Sequence, residues 1–194
     1  MLFRSAGAIG VYHHGTQTDR YWLEGRIDAV RDYLQCIRDT GVQVGLGTHM
    51  PEVIEYAEEE GWDVDFYMAC FFNINRKPRE SALVSGKVEA AAEEFRPEDP
   101  PRMCRTIRQT EKTCLAFKIL GASRLCGTQD SVKAAFEFAF SNIKPKDAVV
   151  VGMFPKLIDQ IMLNVQYTSE ICGRGVAIQR DLGQWPSRPP DTRA

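Results

Sequence analysis

The chain has 194 residues, 44% of them hydrophobic, which is enough to bury a core of its own and most simply indicates one domain. The 24 basic residues nearly balance 26 acidic ones without a sustained block of either sign, so we expect no nucleic-acid partner and no binding to a membrane surface. Because no apolar run approaches the ~18 residues of a membrane span and the start lacks the layout of a secretion signal, a cytoplasmic location is the default expectation.

Short apolar strands and amphipathic helices alternate along the chain. The predicted strands cover residues 8–12, 42–46, 64–71, 114–120 and 148–151, and the predicted helices cover 26–40, 51–60, 100–108, the run that Asp130 caps through Ile143, and a stretch from Pro155. Residues 15–19 are interpreted as a polar turn. Proline punctuates residues 74–101, which we interpret as a loop insertion with a short helix near 89–95, and residues 173–194 as a mobile tail after a domain spanning 1–172.

Strands that are continuously apolar are typical of a parallel sheet covered by helices, which predicts an α/β fold. Two architectures fit this pattern: an open doubly wound sheet and a (β/α) TIM-barrel-like fold. A complete barrel typically needs ~250 residues, about 60 more than this chain has. The prediction is therefore a partial barrel of about five strands.

Polar side chains follow the strands at the points where they end. His13 follows the first strand, Thr48 and His49 the second, Asn73 the third, and Lys118 lies near the end of the fourth. Because parallel strands bring their carboxyl ends to one side, we expect these side chains to share a rim and locate a site there.

The six cysteines are Cys36, Cys70, Cys104, Cys114, Cys126 and Cys172, and none forms a Cys-x-x-Cys pair. We interpret them as reduced, mostly buried thiols. His13, His49 and Asp19 could converge on a metal ion, but no spacing motif supports a metal site, so none is predicted.

The ends of these strands resemble the carboxyl-terminal five strands of the aldo-keto reductase barrel family, from Ile9 to about Tyr167. His13 matches the histidine that polarises the substrate carbonyl in that family. Gly47-Thr48-His49 stands where the family has Ser-Asn-His, and Met68 stands where a glutamine holds the nicotinamide. The resemblance implies NADP-dependent carbonyl reduction as the parent activity.

The resemblance also implies where the cofactor would lie. The positions matching cofactor contacts are Gly47, Thr48, Asn73, Leu120, Gly121, Arg124, Gly152, Met153, Lys156, Gln160 and Asn164. A phosphorylated ligand is expected between the Gly121 loop and the helix predicted to begin at Pro155, since free amides at a helix start attract phosphate.

Tyr, Asp and Lys partners complete the catalytic set in that family, and the strands that carry them would precede Ile9. The resemblance therefore implies a truncated chain without reductase activity. Residues 2–5 (LFRS) are also what the end of a common sequencing adapter encodes, and an ordinary flexible terminus is equally open.

Two other functions stay open from the sequence. One is a non-redox barrel lyase that uses His13, His49 or a Schiff base on Lys118. The other is a barrel fragment without catalysis, whose open sheet edge favours self-association. The expected partner is a small carbonyl compound or a phosphorylated ligand.

Overall fold

The computed structural model describes residues 6–77 and 93–173, together with Gly86 and Pro186. Its strands are β1 (Gly10–His13), β2 (Gln43–Thr48), β3 (Phe66–Cys70), β4 (Thr113–Phe117) and β5 (Ala148–Val150). Its α-helices are α1 (Gly15–Leu23), α2 (Val30–Arg38), α3 (Pro51–Glu59), α4 (Asp99–Gln109), α5 (Gln129–Asn142) and α6 (Gln160–Cys172), and a 3-10 turn (Ile27–Ala29) precedes α2.

The five strands form one parallel sheet in the order β1-β2-β3-β4-β5. Right-handed crossovers between neighbouring parallel strands place every connecting helix on the same face of the sheet. A doubly wound sheet instead reverses its strand order at a switch point. The sequential order confirms the predicted α/β fold, a parallel sheet consistent with part of a (β/α) barrel.

The two faces of the sheet differ in burial. Side chains on the helix-covered face, such as Leu46 and Tyr67, are fully buried. On the opposite face Phe66 and Met68 are only half buried. A side chain at Gly45 would lie 2.4 Å from the ring of Phe66, so glycine is required there for that ring to cover the sheet.

Several predicted elements are wrong in their bounds. Residues 15–19 are not a polar turn, because they begin the helix α1. The last helix starts at Gln160 rather than at Pro155, since Asp159 is its N-cap and accepts a hydrogen bond from the amide of Met162. The N-cap of α5 is Thr128, not Asp130.

The predicted insertion at 74–101 already contains the start of α4 at Asp99. Residues 78–85 and 87–92 lie outside the described part of the chain, and so does most of the short helix predicted at 89–95. Residues 1–5 and the predicted tail, apart from Gly173 and Pro186, also lie outside it. None of the helices that the structure describes is long and apolar enough to cross a membrane. All six cysteines are free, three of them buried and three exposed.

Candidate functional site

Four polar side chains are buried together at the carboxyl end of the sheet. Asp19 and Thr48 have no exposed surface, and Asn75 and His49 are 2% and 4% exposed. Buried polar groups are costly unless they are hydrogen-bonded to one another, so a cluster of this kind has a defined geometry.

The Asp19 carboxylate is the acceptor at the centre of this cluster. Its Oδ2 atom lies 2.6 Å from Nδ1 of His49 and 2.7 Å from Nδ2 of Asn75. Its Oδ1 atom accepts the hydroxyl of Thr48, and the backbone amide of His49 lies 3.2 Å from both oxygens. Donors thus reach both oxygens of the carboxylate, which fixes its position in the cluster.

The carboxylate fixes the tautomer of His49. Asn75 Nδ2 also lies 3.0 Å from the Nδ1 atom of His49, and it donates one of its two hydrogens to Asp19 at 2.7 Å. A lone pair on Nδ1 would face a carboxylate oxygen at 2.6 Å, so Nδ1 carries the proton and donates it to Asp19. The acceptor lone pair of the neutral ring therefore lies on Nε2.

Nε2 of His49 has no hydrogen-bond partner within the described ranges. His49 is not completely enclosed, since 4% of its surface is exposed. The ring meets Phe117 edge-on, with 5.7 Å between ring centroids. A carboxylate-oriented imidazole with an accessible second nitrogen can take and return a proton.

Close backbone packing brings the cluster together. Helix α1 begins at Gly15 directly after β1, and a side chain there would lie 3.2 Å from Cε1 of His49. A side chain at Gly47 would lie 3.0 Å from the Gly15 nitrogen. Two glycines thus let α1 lie against the end of β2, which brings Asp19 to His49.

Two other predicted residues, Asn73 and Lys118, follow the strands β3 and β4. Asn73 lines a cavity of about 60 Å³ together with His49 and Cys70, and its backbone amide donates to Asp99. Lys118 follows β4 in a left-handed conformation (φ 58°), and its Nζ lies 4.0 Å from Glu93.

His13 lies on the helix-covered face of the sheet. Its Nδ1 is 2.7 Å from the hydroxyl of Thr18, and its ring packs 5.2 Å from Tyr33 and 6.2 Å from Tyr21, between centroids. Burial lowers the pKa of His13 to about 4, assisted by the neighbouring His14 and opposed by Asp19. His13 is therefore neutral at pH 7 and packs under the helices, whereas His49 lies at the rim.

The predicted phosphate site lacks its helix start. Lys156, Gly152 and Met153 lie in an exposed irregular stretch ahead of α6, so no helix amides begin at Pro155. Two of the other predicted positions belong to α6: the side chain of Gln160 accepts a hydrogen bond from the amide of Phe154, and Asn164 lies within the helix. Leu120 packs against the core, and Gly121 has a φ of 58°. The guanidinium of Arg124 packs 3.6 Å from the centre of the Phe95 ring and donates to the Gly121 carbonyl at 3.0 Å.

Sequence reasoning missed Asn75 and considered Asp19 only as a metal ligand. Asp19 and His49 are 30 positions apart, so no local spacing joins them. The sequence does show an acidic residue, Asp19, in the segment after β1. Interpreting that segment as a polar turn implied that the side chain of Asp19 is exposed. Within the described residues, no group of three or more His, Cys, Asp or Glu side chains could hold a metal ion.

Comparison with known proteins gave no relatives: no family model, no curated protein and no solved structure matches the chain.

Proposed function

We propose that the chain transfers protons on a small carbonyl compound at the rim formed by His49, Asp19 and Lys118, as a non-redox isomerase or lyase does. The observation that carries this proposal is the 2.6 Å contact between Asp19 and Nδ1 of His49, which leaves Nε2 as the proton acceptor. In such a step Nε2 takes a proton from the carbon next to the carbonyl, and the electron pair moves to the carbonyl oxygen. Asp19 stabilises the imidazolium that forms.

Lys118 is the cation proposed to hold the developing oxyanion or an anionic group of the substrate. It follows β4, whose last residue, Phe117, contacts His49. Its Nζ lies 4.0 Å from a carboxylate oxygen of Glu93, and the proposal gives Lys118 an electrostatic role rather than that of a Schiff-base amine. The proposed proton transfer does not use NADP, which stays an expectation of the family resemblance.

Solvent deuterium exchange tests this proposal without a known product. The chain is incubated in D2O with pyruvate or dihydroxyacetone phosphate, and loss of the C–H signal is followed by proton NMR. We expect exchange faster than in buffer. Substituting His49→Gln should reduce the catalysed rate by about 10²–10⁴-fold, which is the usual contribution of a positioned acid–base group.

The matched control is His13→Gln, which changes the histidine under the helices and should leave exchange intact. Borohydride added with pyruvate should trap no adduct, because the proposal gives Lys118 an electrostatic role. Wild-type exchange no faster than buffer with both compounds, or equal exchange by His49→Gln and wild type, would contradict the proposal.

A further inference from the structure

The exposed hydrophobic side chains of the described residues are confined to the two ends of the sheet. Twelve large apolar side chains are 37–86% exposed. Four of them lie between Ile9 and Tyr33, namely Ile9 just before β1 and three on β1 and the two helices that follow it. The other eight lie between Val150 and Val165, on β5, the next segment or α6. None lies on β2, β3, β4 or the helices between them.

The same two ends carry unpaired strand edges. Within the described part of the chain, β1 pairs only with β2 and β5 pairs only with β4. A free edge presents unpaired backbone N–H and C=O groups, which are a template for another strand. Beside β5, a groove of about 470 Å³ opens between β5, α5 and α6, and apolar residues such as Val149, Val151 and Ile161 line it.

We propose that these two ends form an interface with a second copy of this chain, in which β1 of one copy pairs with β5 of the other. All five strands are parallel, so a two-fold axis along the strand direction keeps the strands of both copies parallel. That axis generates the β1 to β5 contact twice and leaves neither edge free. In this arrangement the second copy also covers the half-buried face opposite the helices, which includes Phe66 and Met68.

The exposed apolar surface is large enough for such a dimer. Aromatic side chains have areas of roughly 150–250 Å². Three of the twelve are aromatic and nine are smaller aliphatic or Met side chains, so at these exposures the twelve present on the order of 1,000 Å². A stable interface buries about 800 Å² per partner. The described surface therefore supplies what one dimer requires, and it supplies it at the strand edges.

Sedimentation velocity over a micromolar concentration series tests the proposal on the full chain. We expect a species of twice the chain mass. Ile9→Lys and Leu157→Lys change side chains that are 85% and 86% exposed, so neither should affect folding of one copy. Each should raise the dimer dissociation constant by about tenfold or more, because a lysine then enters both equivalent contacts. Gln109→Lys adds the same charge to an exposed position of α4 and should leave the dimer intact.

Mixing the two edge variants identifies the pairing. In a mixed dimer one β1 to β5 contact carries both substitutions and the other carries neither, so mixing should restore association in part. Pairing of β1 with β1, or of β5 with β5, would instead make one variant harmless. A wild-type chain that stays monomeric, with cooperative melting, would overturn the proposal and assign both ends to a different partner. Oligomers growing beyond two copies would overturn it as well.

Discussion

Asp19 is the residue on which the geometry of the candidate site depends. It lies on α1, yet its carboxylate binds the side chain of Thr48 on β2, that of His49 directly after β2, and that of Asn75 after β3. Removing the carboxylate would leave the buried donors of Thr48, His49 and Asn75 unsatisfied, which costs about 1–3 kcal/mol for each group. The same carboxylate therefore holds α1 on the sheet and orients the imidazole, so activity and stability are coupled at this residue.

His13 should make the stability of the fold depend on pH. Its folded pKa is about 4, below the ordinary value of 6.5, because burial disfavours the imidazolium. Between these values the unfolded chain binds more protons, so stability is fully present above about pH 6.5 and falls as the pH decreases toward 4. The loss should be no more than roughly 3 kcal/mol.

Urea unfolding of the wild type and of His13→Gln, measured from pH 7 to pH 5, checks this dependence. The glutamine can still bond to Thr18 but does not titrate, so the variant should show a flatter profile. Glu55 and Glu58 also have lowered pKa values, Glu55 chiefly through the hydrogen bond from Arg102 and Glu58 through bonds from Tyr67 and Lys112 that outweigh its burial. These carboxylates titrate below the tested range, so equal slopes in the two proteins would contradict the assignment to His13.

Helix α5 offers a test of capping, because the sequence contains two candidate caps. The Thr128 hydroxyl accepts the amide of Ser131 at 3.1 Å, and the Ser131 hydroxyl donates to the Leu125 carbonyl at 2.7 Å. Thr128→Ala should lower the free energy of unfolding by about 1 kcal/mol. Asp130→Ala removes only a first-turn charge and should cost a few tenths. Chemical denaturation measures both, and the reverse ranking would favour the cap predicted from sequence.

Two helix starts show where local sequence signals compete. Pro155 is well suited to the first turn of a helix, which is why the last helix was predicted to start there. In the structure Asp159 caps α6 four residues later. At α1 the opposite error was made, because a turn was predicted where a helix begins. Gly15 and Thr16 have low helix propensity, which favours the turn interpretation. There the close packing of Gly15 on Gly47 decides the conformation, and that contact joins residues far apart in sequence.

At the scale of the molecule, strand order was predictable because it follows from the rhythm of apolar runs and the handedness of crossovers. The placement of His49, Asn73 and Lys118 after the carboxyl ends of three strands follows from the same rhythm. The direction in which a side chain points was harder, because one position along a strand moves it to the other face. His13 lies on the helix side for this reason, although it also ends a strand.

The placement of His13 bears on the resemblance to the aldo-keto reductases. A carbonyl reduction needs a proton donor beside the developing alkoxide, and the resemblance assigns the polarising role to His13. That ring instead packs against Tyr21 and Tyr33, and the hydroxyl of Thr48, at a predicted nicotinamide contact, donates to Asp19. The resemblance places the Tyr, Asp and Lys set of that family on strands that would precede Ile9.

We therefore expect the chain to show no NADPH oxidation above background with simple aldehydes, measured by the loss of absorbance of the reduced cofactor. An authentic aldo-keto reductase in the same assay is the positive control. Steady oxidation that His13→Ala abolishes would restore the reductase interpretation, since His13 would then have to leave its tyrosine neighbours and reach the substrate. Oxidation that His49→Gln abolishes would place redox chemistry on the Asp19 and His49 pair, and the proposed proton transfer would become one half of a reduction.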